Sequence, residues 1–375
     1  MGKSRISRRK FLRVMGAGAV AGSTLSVLSC QPNTSAQGGG GDGGGNGGDG
    51  GDSGGNKLNL YNWSDYVAES TLPNFEKETG AKVTQDFYGS NEELLAKLQA
   101  GGTGYDVIVP SDYMVGIMIK SEVVQKLNFS KLPNFDNIGQ NFKGLSYDPD
   151  NKYSVPYQWG TTGILYNKKE LGTTVENWEP MFDEQYSGQI AMINDVRETL
   201  GAALMKQGYS INSTETGKLE EAKQELVKQK PLLRGYFDST EIAPLVDTGD
   251  ILLGHVFSGE GILTAIENDD LEYAIPEPAA TRWTDNMCIP NGAKNTDLAH
   301  EFIDYILAKQ PGAKLTNYTY YGTPNQAVLP LIDKELKQIP QWDPPEEVFD
   351  RLQVIEDVGE ATRDYERIFT EVKSS

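Results

Sequence analysis

A chain of 375 residues with 38% hydrophobic and 23% charged side chains suits two or three domains and lies near the globular average; no apolar run reaches the ~18 residues of a membrane span. Its 34 Lys+Arg against 53 Asp+Glu leave a formal charge of −19. That balance disfavours nucleic acid, which is held by basic side chains on phosphates, and points to cationic partners. With 2 cysteines and 2 histidines (Cys30, Cys288, His255, His300) and no CxxC or HExxH spacing, a zinc site is not expected and a Ser/His/Asp triad is implausible.

The chain opens on Ser7-Arg8-Arg9-Lys10-Phe11-Leu12, followed by a moderately apolar stretch to Leu28 broken by Gly16, Gly18 and Gly22. A basic region before a short hydrophobic segment is an export signal, and S-R-R-x-F-L is its twin-arginine form. Val27-Leu28-Ser29-Cys30 resembles a lipoprotein box, whose cysteine would carry a diacylglycerol; ordinary cleavage leaving a free Cys30 thiol is the alternative. Residues 1–29 therefore read as a signal peptide and 30–56 as a lipid-anchored, glycine-rich linker. Such a coil of about 26 residues spans roughly 25–30 Å, and the protein is expected on the periplasmic or cell-surface side of a membrane.

From residue 57 strand-like and helix-like segments alternate. A strand over 58–61 precedes a helix over 68–79 with Gly80 as its C-cap. A strand over 82–88 is followed by Ser90 and Glu93, a capping box opening a helix over 92–99. Residues 105–109 read as a buried parallel strand. This order implies a parallel sheet with right-handed crossovers. Further strands are predicted over 163–166, 189–193 and 251–256, and helices over 199–207, 216–229, 298–309 and 356–372. His255 and His300 are expected to be satisfied structural histidines, Cys288 a buried small hydrophobe, and the acids Glu346, Glu347, Asp350, Glu356 and Asp357 a solvated face.

In α/β sheets ligands sit beyond the carboxyl ends of strands. Four segments predicted at strand ends share one chemistry: Asn62-Trp63-Ser64-Asp65-Tyr66, Pro110-Ser111-Asp112-Tyr113, Asn194-Asp195-Val196-Arg197-Glu198, and Arg282-Trp283-Thr284-Asp285, the last expected to precede a strand. Carboxylates bond ammonium groups, and aromatic faces cover methylenes while attracting cations. Composition alone leaves a sugar or amino-acid ligand open. A lone Trp-Ser-Asp-Tyr loop is more often a core-capping tryptophan with an N-cap serine, and it is the recurrence of four such segments that points to a site.

With Tyr61 before the first segment, Val109 before the second, Pro156-Tyr157-Gln158-Trp159-Gly160 and Tyr321-Gly322-Thr323-Pro324-Asn325, the ordered set resembles the spermidine/putrescine-binding proteins of polyamine ABC importers from about Leu58 to the C-terminus. The resemblance implies an α/β fold of type II periplasmic binding proteins, with two lobes of parallel-rich sheet flanked by helices and joined by hinge crossovers. Lobe 1 would comprise 57–161 and 285–329, and lobe 2 would comprise 162–284 and 330–375.

It implies ligand contacts at Trp63, Ser64, Asp65, Tyr66, Ser111, Tyr113, Asp195, Glu198, Phe257, Trp283, Asp285 and Tyr321. Asp195 and Glu198 would hold one ammonium end, and Asp285 another ammonium, with Trp283 along the methylenes. Partners would be a polyamine (spermidine and/or putrescine), a membrane permease, and the membrane itself through Cys30; no cofactor or nucleic acid is implied, and the protein would be a monomer. Two departures stand out: Phe257 where the family commonly has tryptophan, and Ile355 where spermidine-binding members have glutamine. Competing readings are a hydrolase using Asp195 with Glu198 as acid and base, and a ferric-ion or sugar receptor, the former with tyrosinates such as Tyr320 and Tyr321.

Overall fold

The computed structural model describes residues 56–101 and 104–375, so the twin-arginine signal, Cys30 and the glycine-rich linker lie outside the described residues. Among the described residues no helix is long and apolar enough to cross a membrane.

The first strand, β1 (Lys57–Asn62), pairs in parallel with β2 (Lys82–Phe87) and β3 (Val107–Ile108). Between them run α1 (Thr71–Thr79) and α2 (Asn91–Gln99). Helix α1 begins later than its sequence pattern suggests, because residues 68–71 close a turn through Thr71 N–H to Ala68 C=O at 2.8 Å; Gly80, at φ 71°, ends it as expected. β3 keeps only two residues of ladder. Asp106 turns its carboxylate onto the N–H groups of Asn59, Lys294 and Asn295 instead, and Pro110 has no N–H to offer.

The largest difference from the sequence reading is β4 (Ser154–Asn167), a 14-residue strand where only residues 163–166 were predicted. It is buried almost throughout, so it shows no polar alternation to read, and the register shift between Pro156 and Gln158 accommodates a proline that otherwise argues against a strand. One edge of β4 pairs with β9 (Thr281–Cys288) from Ser154 to Thr162 and then with β8 (Leu271–Ala274) from Ile164. Its other edge takes β7 (Leu253–Phe257) from Thr162 onward. β5 (Ile190–Ile193) and β6 (Leu233–Phe237) complete that side, and β10 (Gln353–Val354) joins β9. The strand order is β2-β1-β3-β9-β4-β7-β5-β6.

Helices α3 (Asp112–Lys120), α4 (Val196–Lys206), α6 (Ser239–Asp247) and α7 (Ser258–Glu267) begin directly beyond β3, β5, β6 and β7, while α5 (Thr216–Gln229) links α4 to β6. The pair α8 (Thr296–Leu307) and α9 (Lys309–Thr319) splits at Ala308, and α10 (Thr362–Ser374) closes the chain. One apolar core runs across both halves, joining Ile108, Met114 and Met118 to Ile164, Ile190 and Met192, and further cores flank it. One gathers Leu58, Leu60, Phe75, Phe302 and Ile303, and another Leu165, Ile193, Ile242, Val246 and Val256.

Two expectations need correction. Residues 282–285 lie inside β9 rather than before a strand, since pairing with β4 captures them. His255 is not satisfied: both ring nitrogens are buried without a hydrogen-bond partner among the described residues, its ring meets Trp178 edge-on at 5.3 Å, and burial lowers its pKa to about 3, leaving it neutral. His300 is satisfied, with Nε2 accepting from Asn128 N–H at 2.8 Å and Nδ1 facing Thr296 C=O. Cys288 is fully buried.

Candidate functional site

The sheet curls so that the carboxyl ends of β1, β3, β5 and β7 face one another across β9, enclosing a cavity of about 100 Å³. Trp63, Ser64, Tyr66, Ser111, Tyr113, Asp195, Glu198, Phe257, Trp283, Asp285 and Tyr321 all line it. Asp65 does not. It sits exposed at the tip of its turn with φ 52°, which turns its side chain out of the lining.

Successive strand residues point to opposite faces, so Trp283 and Asp285, two apart in β9, enter the cavity together. Asp285 Oδ1 accepts 2.7 Å from the Ser111 hydroxyl, which is itself held by Asn91 Nδ2 at 3.0 Å. Burial pushes the Asp285 carboxyl up to about 7. The Tyr66 hydroxyl is buried beside it, near enough for its pull to hold the Asp285 carboxyl down somewhat, although it makes no hydrogen bond of full geometry among the described residues.

On the opposite wall, Asp195 is the N-cap of α4. Its Oδ1 accepts from the N–H groups of Arg197 and Glu198 at 2.8 and 3.0 Å. Glu198 Oε1 accepts from Thr162 at 2.9 Å, while Oε2 is buried and, among the described residues, makes no hydrogen bond of full geometry, with Thr281 nearby. Burial, with Asp195 close by, pushes Glu198 up to about 8, and burial raises Asp195 as well.

Aromatic faces connect these acids. Tyr66 and Trp283 both meet Tyr321 edge-on at 5.2 Å, Phe257 meets Trp283 at 5.7 Å, and Trp63 leans on Tyr88 at 4.5 Å. Trp63 Nε1–H and the Tyr88 hydroxyl both donate to Val109 C=O, at 2.9 and 2.5 Å, which fixes that wall to the end of β3.

The model of the family described as bacterial extracellular solute-binding protein matches residues 72–343. The chain belongs to that family. The putrescine/cadaverine-binding protein of Pseudomonas aeruginosa is 35% identical over 331 residues, covering 84% of this chain and 93% of the relative. The spermidine/putrescine-binding periplasmic protein of Escherichia coli is 33% identical over 321 residues, covering 85% and 92%. A solved structure described as a putative spermidine/putrescine ABC transporter from Listeria monocytogenes superimposes with a TM-score of 0.82 at 38% identity, covering 85% of this chain and 99% of that one. The two-lobed α/β fold of these binding proteins is the fold of this chain.

This solute-binding protein also brings residues into its cavity that the sequence reading left out. Glu260, in the first turn of α7, accepts hydrogen bonds from the hydroxyls of Tyr321 and Ser239, and burial pushes it up to about 7. Asp112 accepts from the N–H groups of Thr284 and Tyr113 at 3.1 and 2.8 Å, tying β9 to α3, and burial again raises it to about 7. Tyr88, Asn91, Asp238 and Ile355 line the cavity too. Ile355 was singled out only as a departure from the family pattern. Glu260 carried a faint signal, lying three residues past Phe257 at a predicted strand end.

Proposed function

We propose that the protein captures a polyamine, spermidine and/or putrescine, in this cavity and delivers it to the permease of an ABC importer. The observation that carries the reading is the row of buried carboxylates, Glu198, Asp195, Asp285 and Glu260, set between aromatic faces. Each is raised because burial without a cation disfavours its charged form. An alkyl chain ending in ammonium groups supplies the missing charges, while Trp63, Trp283, Phe257 and Tyr321 cover its methylenes. A cavity of about 100 Å³ leaves room for a slender chain.

In this reading Glu198, with Asp195 through its remaining oxygen, holds one ammonium end, Asp285 with Ser111 and Tyr66 holds another, and Glu260 faces the Tyr321 end. Asp195 spends Oδ1 on capping α4, which argues against a hydrolytic pair with Glu198. Burial holds the Tyr321 hydroxyl protonated against Glu260, the opposite of what a tyrosinate ligand to iron needs. The protein acts as a binder rather than an enzyme.

The lobes divide at 161/162 and 284/285, a reading supported by the change of partners along β4 at Thr162. Hinge closure of two such lobes is a general device for enclosing a small ligand. Relatives named as periplasmic support export, and Cys30 is proposed as the lipid anchor of a monomer exported by the twin-arginine route. Calorimetric titration with putrescine, cadaverine, spermidine and spermine tests the function. Saturable one-site binding of at least one amine is expected, and no heat from any of them would overturn it.

A further inference from the structure

Helix α3 carries Tyr113 in its first turn and Lys120 at its last residue, and both ends meet the far side of the molecule. Strand β3, which leads into α3, is separated from β5 by β9, β4 and β7, four strand spacings or roughly 19 Å in a flat sheet. Yet the guanidinium of Arg197, in the first turn after β5, lies 5.6 Å from the centroid of the Tyr113 ring. It also lies 4.8 Å from the centroid of the Tyr365 ring. Arg197 is only 4% exposed. Its Nη1 donates to Glu356 C=O at 2.9 Å and its Nη2 to Asn212 Oδ1 at 2.8 Å, and Asn212 in turn donates to Val354 C=O.

The segment gripped in this way presents Ile355 to the ligand cavity. Two residues on, Asp357 pairs with Lys120 Nζ at 2.6 Å. The two contacts flank a second cavity of about 430 Å³, which Tyr113, Lys120, Arg197, Asp357 and Tyr365 help to line. The junction is therefore held at two polar points beside this cavity, in addition to the apolar core that both sides share. A planar guanidinium near two rings, with its fork committed to backbone and amide oxygens, has a geometry that lysine does not reproduce.

We propose that Arg197 is a positioning residue which, with the Lys120–Asp357 pair, latches α3 onto the segment 354–357 and sets how long the closed cavity retains its ligand. The inference rests on the polyamine reading for its ligand but not for its geometry. Tyr113 lines the ligand cavity and touches Arg197, so the stack exists only while the ends of β3 and β5 are drawn together. Losing it releases the closed form without removing any of the cavity's carboxylates. In the Lys120 pair the lysine is largely exposed, although the Asp357 side chain is only 24% exposed, and the pair contributes less, in a salt-dependent way.

Stopped-flow tryptophan fluorescence of the intact protein, with putrescine and spermidine as probes, separates association from release. Arg197→Gln is expected to raise the off-rate about tenfold or more with the on-rate within threefold, since closure affects release more than encounter. Arg197→Lys should fall between it and wild type. Lys120→Met, an exposed change that leaves the core intact, should raise the off-rate about two- to fivefold, an effect lost at high salt. Unchanged off-rates in both Arg197→Gln and Lys120→Met, or an effect confined to the on-rate, would overturn the latch. If Arg197→Gln fails to fold, Lys120→Met decides. If wild type binds neither amine, the polyamine reading fails, and small-angle scattering of the ligand-free proteins decides the latch: a larger radius for the variants supports it, an equal radius sinks it.

Discussion

The Ser111 hydroxyl donates to Asp285 Oδ1 across 2.7 Å, joining residues 174 positions apart. It satisfies one oxygen of a carboxylate that is 5% exposed, and Ser111 and Asp285 also form an isolated bridge of backbone between β3 and β9. The acid is thus positioned by one half of the cavity and presented by the crossing strand.

Asp285→Asn keeps the shape and removes the charge. Polyamine binding should weaken by about 2–5 kcal/mol, as when one partner of a buried charged pair is lost. Thermal stability without ligand should not fall, because a buried charge is removed rather than created. Calorimetry and a melting curve check both, with exposed Asp350→Asn as the control, expected to change affinity less than threefold.

The pH dependence has a defined sign. Glu198, Asp285 and Glu260 have folded values raised to about 8, 7 and 7, above their unfolded ~4. Between those limits the folded state binds more protons than the unfolded state, so ligand-free stability should fall as pH rises from ~4 through ~8. Alkylammonium groups titrate near ~10 and require carboxylates, so affinity should rise over about pH 5.5–8 with release of protons. Titrations in buffers of different ionisation enthalpy measure that release; buffer-independent heats would contradict it.

Glu260→Gln should weaken binding by roughly 1–3 kcal/mol, the range for a hydrogen bond to a charged group. Because Tyr321 and Glu260 share a hydrogen bond, the effects of Glu260→Gln and Tyr321→Phe should not add. A double-mutant cycle measures the coupling.

Gly259→Ala tests the Tyr321 wall. A Cβ at Gly259 would stand 2.5 Å from Cζ of the Tyr321 ring and 2.7 Å from Thr319 C=O, so the ring must shift. A stability loss of about 1–3 kcal/mol together with weaker binding is expected. Denaturant melts and calorimetry report the two effects separately.

Features that depend on residues a few positions apart were legible in the sequence. Ser90 caps α2 through Glu93 N–H, with the Glu93 carboxylate returning to Gly89 N–H, and α5 spans the predicted residues 216–229. Asp195 caps α4 where a strand end meets a helix. Of the twelve contacts that the family resemblance implied, eleven line the cavity, and the aromatic and acidic residues of four segments had drawn attention to most of them. What the tertiary structure alone decided is enclosure. That Trp283 and Asp285 sit mid-strand follows from the pairing of β9 with β4, whose burial and proline hid it. That Glu260 meets Tyr321, 61 residues away, follows from the curl that brings α7 against the end of α9. Local propensity acts over one helical turn. Which strand ends share a cavity, and so which carboxylates lose water and hold their protons, depends on pairings such as those of β9 with β3 and β4, between residues more than a hundred positions apart.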